Sequence, residues 1–81
     1  MPPVIKLFNA IEGIEYVIDE IFLDDDFKHF LTTIGCYEGE TINVINSYNS
    51  ATIIFYVKGG KYSIDRETAE HIYIRKKELY E

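Results

Sequence analysis

The feature that most constrains the fold is a series of short apolar runs with two-residue alternation, each broken by glycine or polar turn residues. Side chains alternate between the two faces of a β-strand, so runs of this kind predict short, half-buried strands. The predicted strands are Ile14–Leu23, Thr41–Ile45, Ile53–Val57, Tyr62–Ile64 and Ile72–Ile74. A bulge is expected near Asp19 and Glu20, where the alternation of the first run slips. The chain is therefore predicted to be mainly β.

One segment, "DDDFKHFLTTIG", has helical spacing instead. Its apolar residues fall at i, i+3, i+4 and i+7, which predicts one short amphipathic helix. These residues are Phe27, Phe30, Leu31 and Ile34. Asp25 or Asp26 is expected to cap the first turn, and Gly35 to end the helix in a left-handed conformation.

Turn residues separate the remaining elements. Gly13 precedes the first predicted strand, and Gly39 permits the turn into the second. Residues 46–50 are polar turn material, whereas Gly59 and Gly60 supply the positive φ angles of a hairpin. Asp65 is expected to cap a single helical turn, and the charged residues after the last strand to fray or add one further turn.

Length and composition allow a compact core. A chain of 81 residues is expected to form one domain over 1–81, and 47% hydrophobic residues is typical of a folded protein. Five short strands with one helix after the first strand suggest a sheet curled into a small barrel, whose open end the helix covers. An exposed strand edge could also pair two copies of the chain into a homodimer.

The net charge narrows the classes of partner. Eight basic and fourteen acidic residues give a formal charge of −6. Nucleic-acid affinity depends largely on Lys and Arg contacts to phosphates, so DNA, RNA and anionic lipid are disfavoured. An acidic surface suits a basic partner patch or a cation, and it also suits solubility with no partner.

The single cysteine and the absence of a long apolar segment indicate a cytoplasmic protein. Cys36 is the single cysteine, so it forms no internal disulfide and offers no paired zinc-site spacing. The N-terminus lacks the pattern of a signal peptide, and no run approaches the ~20 apolar residues that span a bilayer. We therefore expect no direct membrane insertion.

Three segments together resemble the FeoA family of small cytosolic proteins that accompany the ferrous iron transporter FeoB. They are "L-x-x-x-x-x-G" from Leu7 to Gly13, "F-L-x-x-I-G-x-x-x-G-x-x-I-x-V" from Phe30 to Val44, and "VKGGKYSIDRETAEHIYI" from Val57 to Ile74. The resemblance covers about residues 7–74. The chain departs from the family pattern at Phe30, where a basic residue is common, and at Glu38, where proline is frequent.

The resemblance implies an SH3-like β-barrel of about five strands. It also implies a small accessory protein of ferrous iron uptake, which binds the cytosolic GTPase region of a FeoB-type transporter and modulates Fe(II) transport. The same barrel is implied as a domain of some metal-dependent repressors.

The predicted partner surface lies around the two glycines that follow the helix. Cys36, Tyr37 and Glu38 stand between Gly35 and Gly39, and a rigid turn presents side chains well. Lys58 and Lys61 on the exposed face of the hairpin extend this predicted surface. The alternative interpretation is that the glycines only serve the fold and that the turn contacts water.

The second functional hypothesis is a transition-metal-binding domain that senses or delivers the metal. Asp25 and His29 share a helix face at i, i+4, and Cys36 lies just beyond the helix end, so three ligands for a weakly bound divalent transition metal could converge. No other cofactor is expected. The sequence contains neither a Walker motif nor a serine elbow, and nothing places a base beside Cys36, so we expect no enzyme and no catalytic residue.

Overall fold

The computed structural model describes residues 3–46 and 51–79. Its strands are β1 (Val4–Lys6), β2 (Glu15–Ile21), β3 (Thr41–Asn46), β4 (Thr52–Val57), β5 (Gly60–Asp65) and β6 (Ile72–Lys76). Its helices are α1 (Asp25–Thr33) and α2 (Arg66–Ala69), and one 3₁₀ turn covers Leu7–Asn9. The polar turn predicted at residues 46–50 lies mostly outside the described residues, as do the last two residues of the tail.

All six described strands form one antiparallel sheet in the order β1-β6-β2-β3-β4-β5. This confirms the predicted mainly β class. The sequence pattern did not indicate β1, because three residues are too few to show an alternation. The helix α1 consequently follows the second strand of the sheet rather than the first.

The core lies on the inner face of this sheet, where α1 and α2 each contribute one fully buried side chain. Alternation along β4 buries Ile53, Phe55 and Val57, as predicted. Tyr16 is also buried, and its hydroxyl oxygen accepts a hydrogen bond from the Ile11 N–H at 3.0 Å, so the polar end of the ring is satisfied. The other members of the core are Leu7, Ala10, Ile18, Ile21, Leu31, Cys36, Ile42, Val44, Ile64, Ala69, Ile72 and Ile74.

The strand β2 contains the predicted bulge. Its register against β6 shifts between Ile18 and Glu20. At the same point the backbone of Ile18 is hydrogen-bonded to the loop before β3 and not to β3 itself. The Gly39 N–H donates to the Ile18 carbonyl at 2.8 Å, and the Ile18 N–H donates to the Glu40 carbonyl at 2.9 Å. The bulge therefore fixes the loop between α1 and β3 to the sheet.

The helix α1 differs from its prediction in two details. Its N-cap is Asp24, whose carboxylate accepts a hydrogen bond from the Phe27 N–H at 2.8 Å, rather than Asp25 or Asp26. Phe30 is 54% exposed, although the helical spacing placed it with the buried face. The core side of α1 is completed by Leu31, so the neighbouring Phe30, about 100° further round the helix, points outward.

The β4–β5 hairpin also turns one residue earlier than predicted. Val57 pairs with Gly60, and the two turn residues Lys58 and Gly59 have φ angles of 51° and 76°. Positive φ at both positions is the pattern of a type I′ turn. Gly60 thus belongs to β5, where its missing side chain makes room for the Tyr62 ring; an added Cβ would lie 2.6 Å from the Tyr62 hydroxyl oxygen.

Candidate functional site

The end of α1 has the hydrogen bonds of a Schellman motif. Gly35 has a φ of 93°, and its N–H donates to the Thr32 carbonyl at 3.0 Å. The Cys36 N–H donates to the Leu31 carbonyl at 2.8 Å. In this motif the residue after the glycine packs against the last turn of the helix, and both Cys36 and Leu31 are fully buried.

The burial of Cys36 removes its side chain from the predicted surface. Its thiol is inside the core, and burial, with a smaller effect of the Glu38 charge, raises the pKa of the Cys36 thiol to about 12. The thiol therefore stays protonated at neutral pH, and the thiolate that attacks electrophiles or binds metals does not form. In this site Cys36 anchors the helix end.

The next residues form a tight turn that faces outward. Glu40 N–H donates to the Tyr37 carbonyl at 3.1 Å, and Gly39 has a φ of 94°, as the third residue of a type II turn requires. Glu38 is exposed and Tyr37 is half-buried. Because the bulge of β2 also bonds this turn, the two side chains are held on a fixed backbone.

Lys58, from the hairpin turn, lies across this loop. Its methylene groups cover Gly35, where an added Cβ would lie only 2.4 Å from Lys58 Cγ. Its ammonium group is 3.2 Å from Glu40 Oε1 and 5.9 Å from the centre of the Tyr37 ring. Hydrogen bonds to Glu40 and Tyr37 raise the pKa of Lys58. Burial alone would raise the pKa of Glu40, but the hydrogen bond and charge of Lys58, together with hydrogen bonds from the Thr41 backbone and Tyr37, lower that pKa.

A second ion pair joins the loop to the helix. Lys28 Nζ in α1 is 3.2 Å from Glu38 Oε2. The pKa of Glu38 is lowered, first by a hydrogen bond from its own backbone amide and then by Lys28. We call the group of Lys28, Tyr37, Glu38, Glu40 and Lys58 the turn surface. Its two cations and two anions pair within the surface, so it is close to neutral.

The structure thus brings together three of the five predicted partner residues, Tyr37, Glu38 and Lys58. Lys61 lies opposite Tyr56 across the β4–β5 ladder, on the outer side of the hairpin next to the Lys58 turn. Sequence reasoning missed Lys28 and Glu40, which complete the two ion pairs. No local pattern connects Lys58 with Glu40, because strand pairing alone brings them into contact.

The predicted metal ligands do not converge. Asp25 and His29 are exposed on α1, whereas Cys36 is buried beyond its end. Across residues 3–46 and 51–79, no group of three or more His, Cys, Asp or Glu side chains could hold a metal ion. The geometry therefore does not favour the metal hypothesis.

Comparison with known families decides the relationship. The family model described as "FeoA domain" matches residues 5–76, which is most of the chain. The chain belongs to the FeoA family. This confirms the resemblance found over about residues 7–74, and it supports a role in ferrous iron transport. FeoA-family members are small accessory domains and are not known as enzymes, and the family is linked to FeoB-based transport.

Solved structures show the same fold. A crystal structure of an iron uptake regulatory protein (FeoA) is 25% identical, with a TM-score of 0.82 over 93% of this chain and 100% of that one. A FeoA protein from Chlorobium tepidum is 18% identical, with a TM-score of 0.81 over 89% of this chain and 70% of that one. A manganese-dependent transcriptional repressor is 15% identical, with a TM-score of 0.82 over 95% of this chain but only 44% of that one.

No protein of curated function matches the chain in sequence. Within the part of the chain that the structure describes, no helix is long and apolar enough to cross a membrane.

Proposed function

We propose that this FeoA-family protein binds the cytosolic GTPase region of a FeoB-type ferrous iron transporter and thereby modulates Fe(II) transport. The proposal places the protein in the cytosol, as a binding module without catalysis of its own. Family membership supports the iron-transport context. The observation that supports a binding role is the turn surface, whose backbone is held by the Schellman motif, the type II turn and the bulge of β2.

The turn surface suits recognition because its side chains already contact one another on a fixed backbone. Tyr37 is packed under the Lys58 ammonium group, and Glu38 is held by Lys28. An interface made from restrained side chains loses less conformational entropy on binding than one made from mobile ones. Tyrosine is also enriched among the residues that dominate interface energies. Tyr37, Glu38, Lys58 and Lys61 are therefore the proposed contacts, with Cys36 supporting them from below.

A binding titration against the isolated cytosolic region of the transporter tests this function, with no nucleotide, GDP and a non-hydrolysable GTP analogue in separate runs. Tyr37→Ala and Glu38→Lys are expected to weaken binding, while Tyr37→Phe, which keeps the ring over the loop, should retain most of it. Circular dichroism of each variant controls for the fold. No association of the native protein in any nucleotide state would refute the proposed function.

The metal hypothesis stays a prediction that the structure does not favour. Titration with Fe²⁺, Mn²⁺ or Zn²⁺, followed by amide and imidazole NMR signals, tests it directly. Unchanged signals at Asp25, His29 and Cys36 would remove it.

A further inference from the structure

The start of α1 carries an exposed aromatic groove that the turn surface does not include. Five residues line this open groove of about 690 Å³, which we call the entry groove: Asp24, Asp25, Asp26, Phe27 and Phe30. Phe30 is 54% exposed. Covering an exposed aromatic side chain removes apolar surface from water and is favourable, so Phe30 offers a partner apolar area beside the three aspartates.

The aromatic wall of this groove is a pair of phenylalanine rings in contact. Phe27 is half-buried and packs against the core on one side. On its other side it meets Phe30 edge to face, with ring centres 6.0 Å apart and planes at 79°. One side of the exposed Phe30 ring therefore contacts a residue that packs on the core, and the rest of the Phe30 ring is open to a partner.

The charges of the entry groove differ from those of the turn surface. Asp24, Asp25 and Asp26 are all exposed, and Asp24 also caps the helix. Among the described residues, none of these three carboxylates forms an ion pair, whereas both anions of the turn surface are paired. The groove therefore concentrates unneutralised negative charge next to an apolar ring. Complementary chemistry is a positive charge next to an apolar side chain.

We propose that the entry groove binds a basic segment of the partner protein, with a Lys or Arg side chain on Asp25 and Asp26 and an adjacent aliphatic or aromatic side chain on Phe30. This inference rests on the proposed function, because the partner is the same cytosolic region of the transporter. It adds the chemistry of the partner's contact segment, in which a basic residue lies next to an apolar one.

The entry groove and the turn surface both use α1, which has nine residues and is about 13.5 Å long at ~1.5 Å per residue. Lys28 and Phe30 are two residues apart, so their side chains lie on opposite flanks of this helix. A standard protein interface covers about 800 Å² on each partner, which is wide enough for a partner on the outer face of α1 to reach both flanks.

The two parts of the groove should act on different rate constants. Unpaired surface charge attracts an oppositely charged partner over about one Debye length, so the aspartates should raise the association rate in a salt-dependent way. An aromatic contact forms after encounter, so Phe30 should slow dissociation.

Binding kinetics with the isolated cytosolic region of the transporter, at low and at physiological ionic strength, test the inference. Asp26→Lys is expected to slow association several-fold at low salt, with a smaller effect at high salt. Phe30→Ala is expected to speed dissociation about tenfold, as for a modest interface hot spot. Glu67→Lys is the matched charge control, because Glu67 is also an exposed acid in the first turn of a helix. Ile11→Ala controls for loss of an exposed apolar side chain.

The outcomes separate the two proposals. If the native protein binds and Asp26→Lys and Phe30→Ala bind like the controls, the groove inference is wrong and the proposed function stands. If the native protein does not bind at all, both fail. If light scattering shows that the native protein self-associates and Phe30→Ala abolishes this without changing transporter binding, a second copy occupies the groove and the inference is overturned. Thermal unfolding of each variant confirms that the fold is kept.

Discussion

Replacing Gly35 with alanine tests how firmly the hairpin turn is docked on the end of α1. Gly35 and Gly39 have almost the same φ angle, 93° and 94°. They differ in their surroundings. A Cβ at Gly35 would lie 2.4 Å from Lys58 Cγ and 2.9 Å from Lys58 Cβ, whereas a Cβ at Gly39 meets no atom within 4 Å. Gly39→Ala is therefore the matched control for the backbone cost.

The expected free energies follow from this difference. An L-residue in the left-handed region costs about 1–2 kcal/mol, and both substitutions carry that cost. Gly35→Ala additionally forces Lys58 away near its backbone, where a flexible chain end cannot absorb the clash. Overpacking of this kind costs about 1–3 kcal/mol. We expect Gly39→Ala to destabilise the protein by about 1–2 kcal/mol and Gly35→Ala by about 2–5 kcal/mol.

Urea unfolding followed by far-UV circular dichroism measures the free energy of unfolding of both variants. Thermal unfolding gives a second measure, because each 1 kcal/mol of lost stability should lower Tm by about 4–8 °C in a domain of this size. The variant Lys58→Gly removes both clashing atoms. In that background, Gly35→Ala should cost no more than Gly39→Ala. Equal costs of the two alanine substitutions in the native background would refute the docked arrangement of Lys58 over Gly35.

Three further predictions concern the same region. Cys36 should not react with a thiol reagent in the folded protein at neutral pH, and should react fully in urea, because its thiol is buried and its pKa is raised to about 12; rapid reaction without urea would contradict its burial. Asp24→Ala should cost about 0.5–2 kcal/mol in urea unfolding because it removes the N-cap, and clearly more than Asp26→Ala, which removes only a favourable helix-dipole charge. Glu38 and Glu40 have lowered folded pKa values, so their contribution to stability is complete above their ordinary value of 4.5 and is lost as the pH falls through the folded values. The double variant with Gln at both positions should therefore lose less stability on acidification than the native protein.

In the proposed complex, the turn surface and the entry groove would contribute differently to binding. The charges of the turn surface are paired, so a partner would gain little long-range attraction there and would bind by matching its shape. The entry groove offers unpaired charge and an exposed ring. Electrostatic attraction by the groove would speed association with the partner, and shape matching at the turn surface would make the binding specific.

Much of the candidate site was predictable from short stretches of sequence. Gly35 ends α1 and Gly39 makes the following turn because glycine alone adopts positive φ without strain. The bulge near Asp19 and Glu20 and the cap at Asp65 were also predicted, and Asp65 does accept a hydrogen bond from the Thr68 N–H. Even the burial of Cys36 had a local signal, since the residue after a Schellman glycine packs on the helix.

The sequence by itself therefore determined where the helix ends, where the chain turns and which strand faces alternate, because these depend on backbone preferences within a few residues. Only the tertiary structure decided that Leu31 rather than Phe30 completes the core, that Lys58 lies over Gly35, and that β1 adds a sixth strand. Each of these depends on which segments meet in space. Contacts between residues far apart in the chain leave no period in the sequence, so folding of the whole sheet was needed to place them.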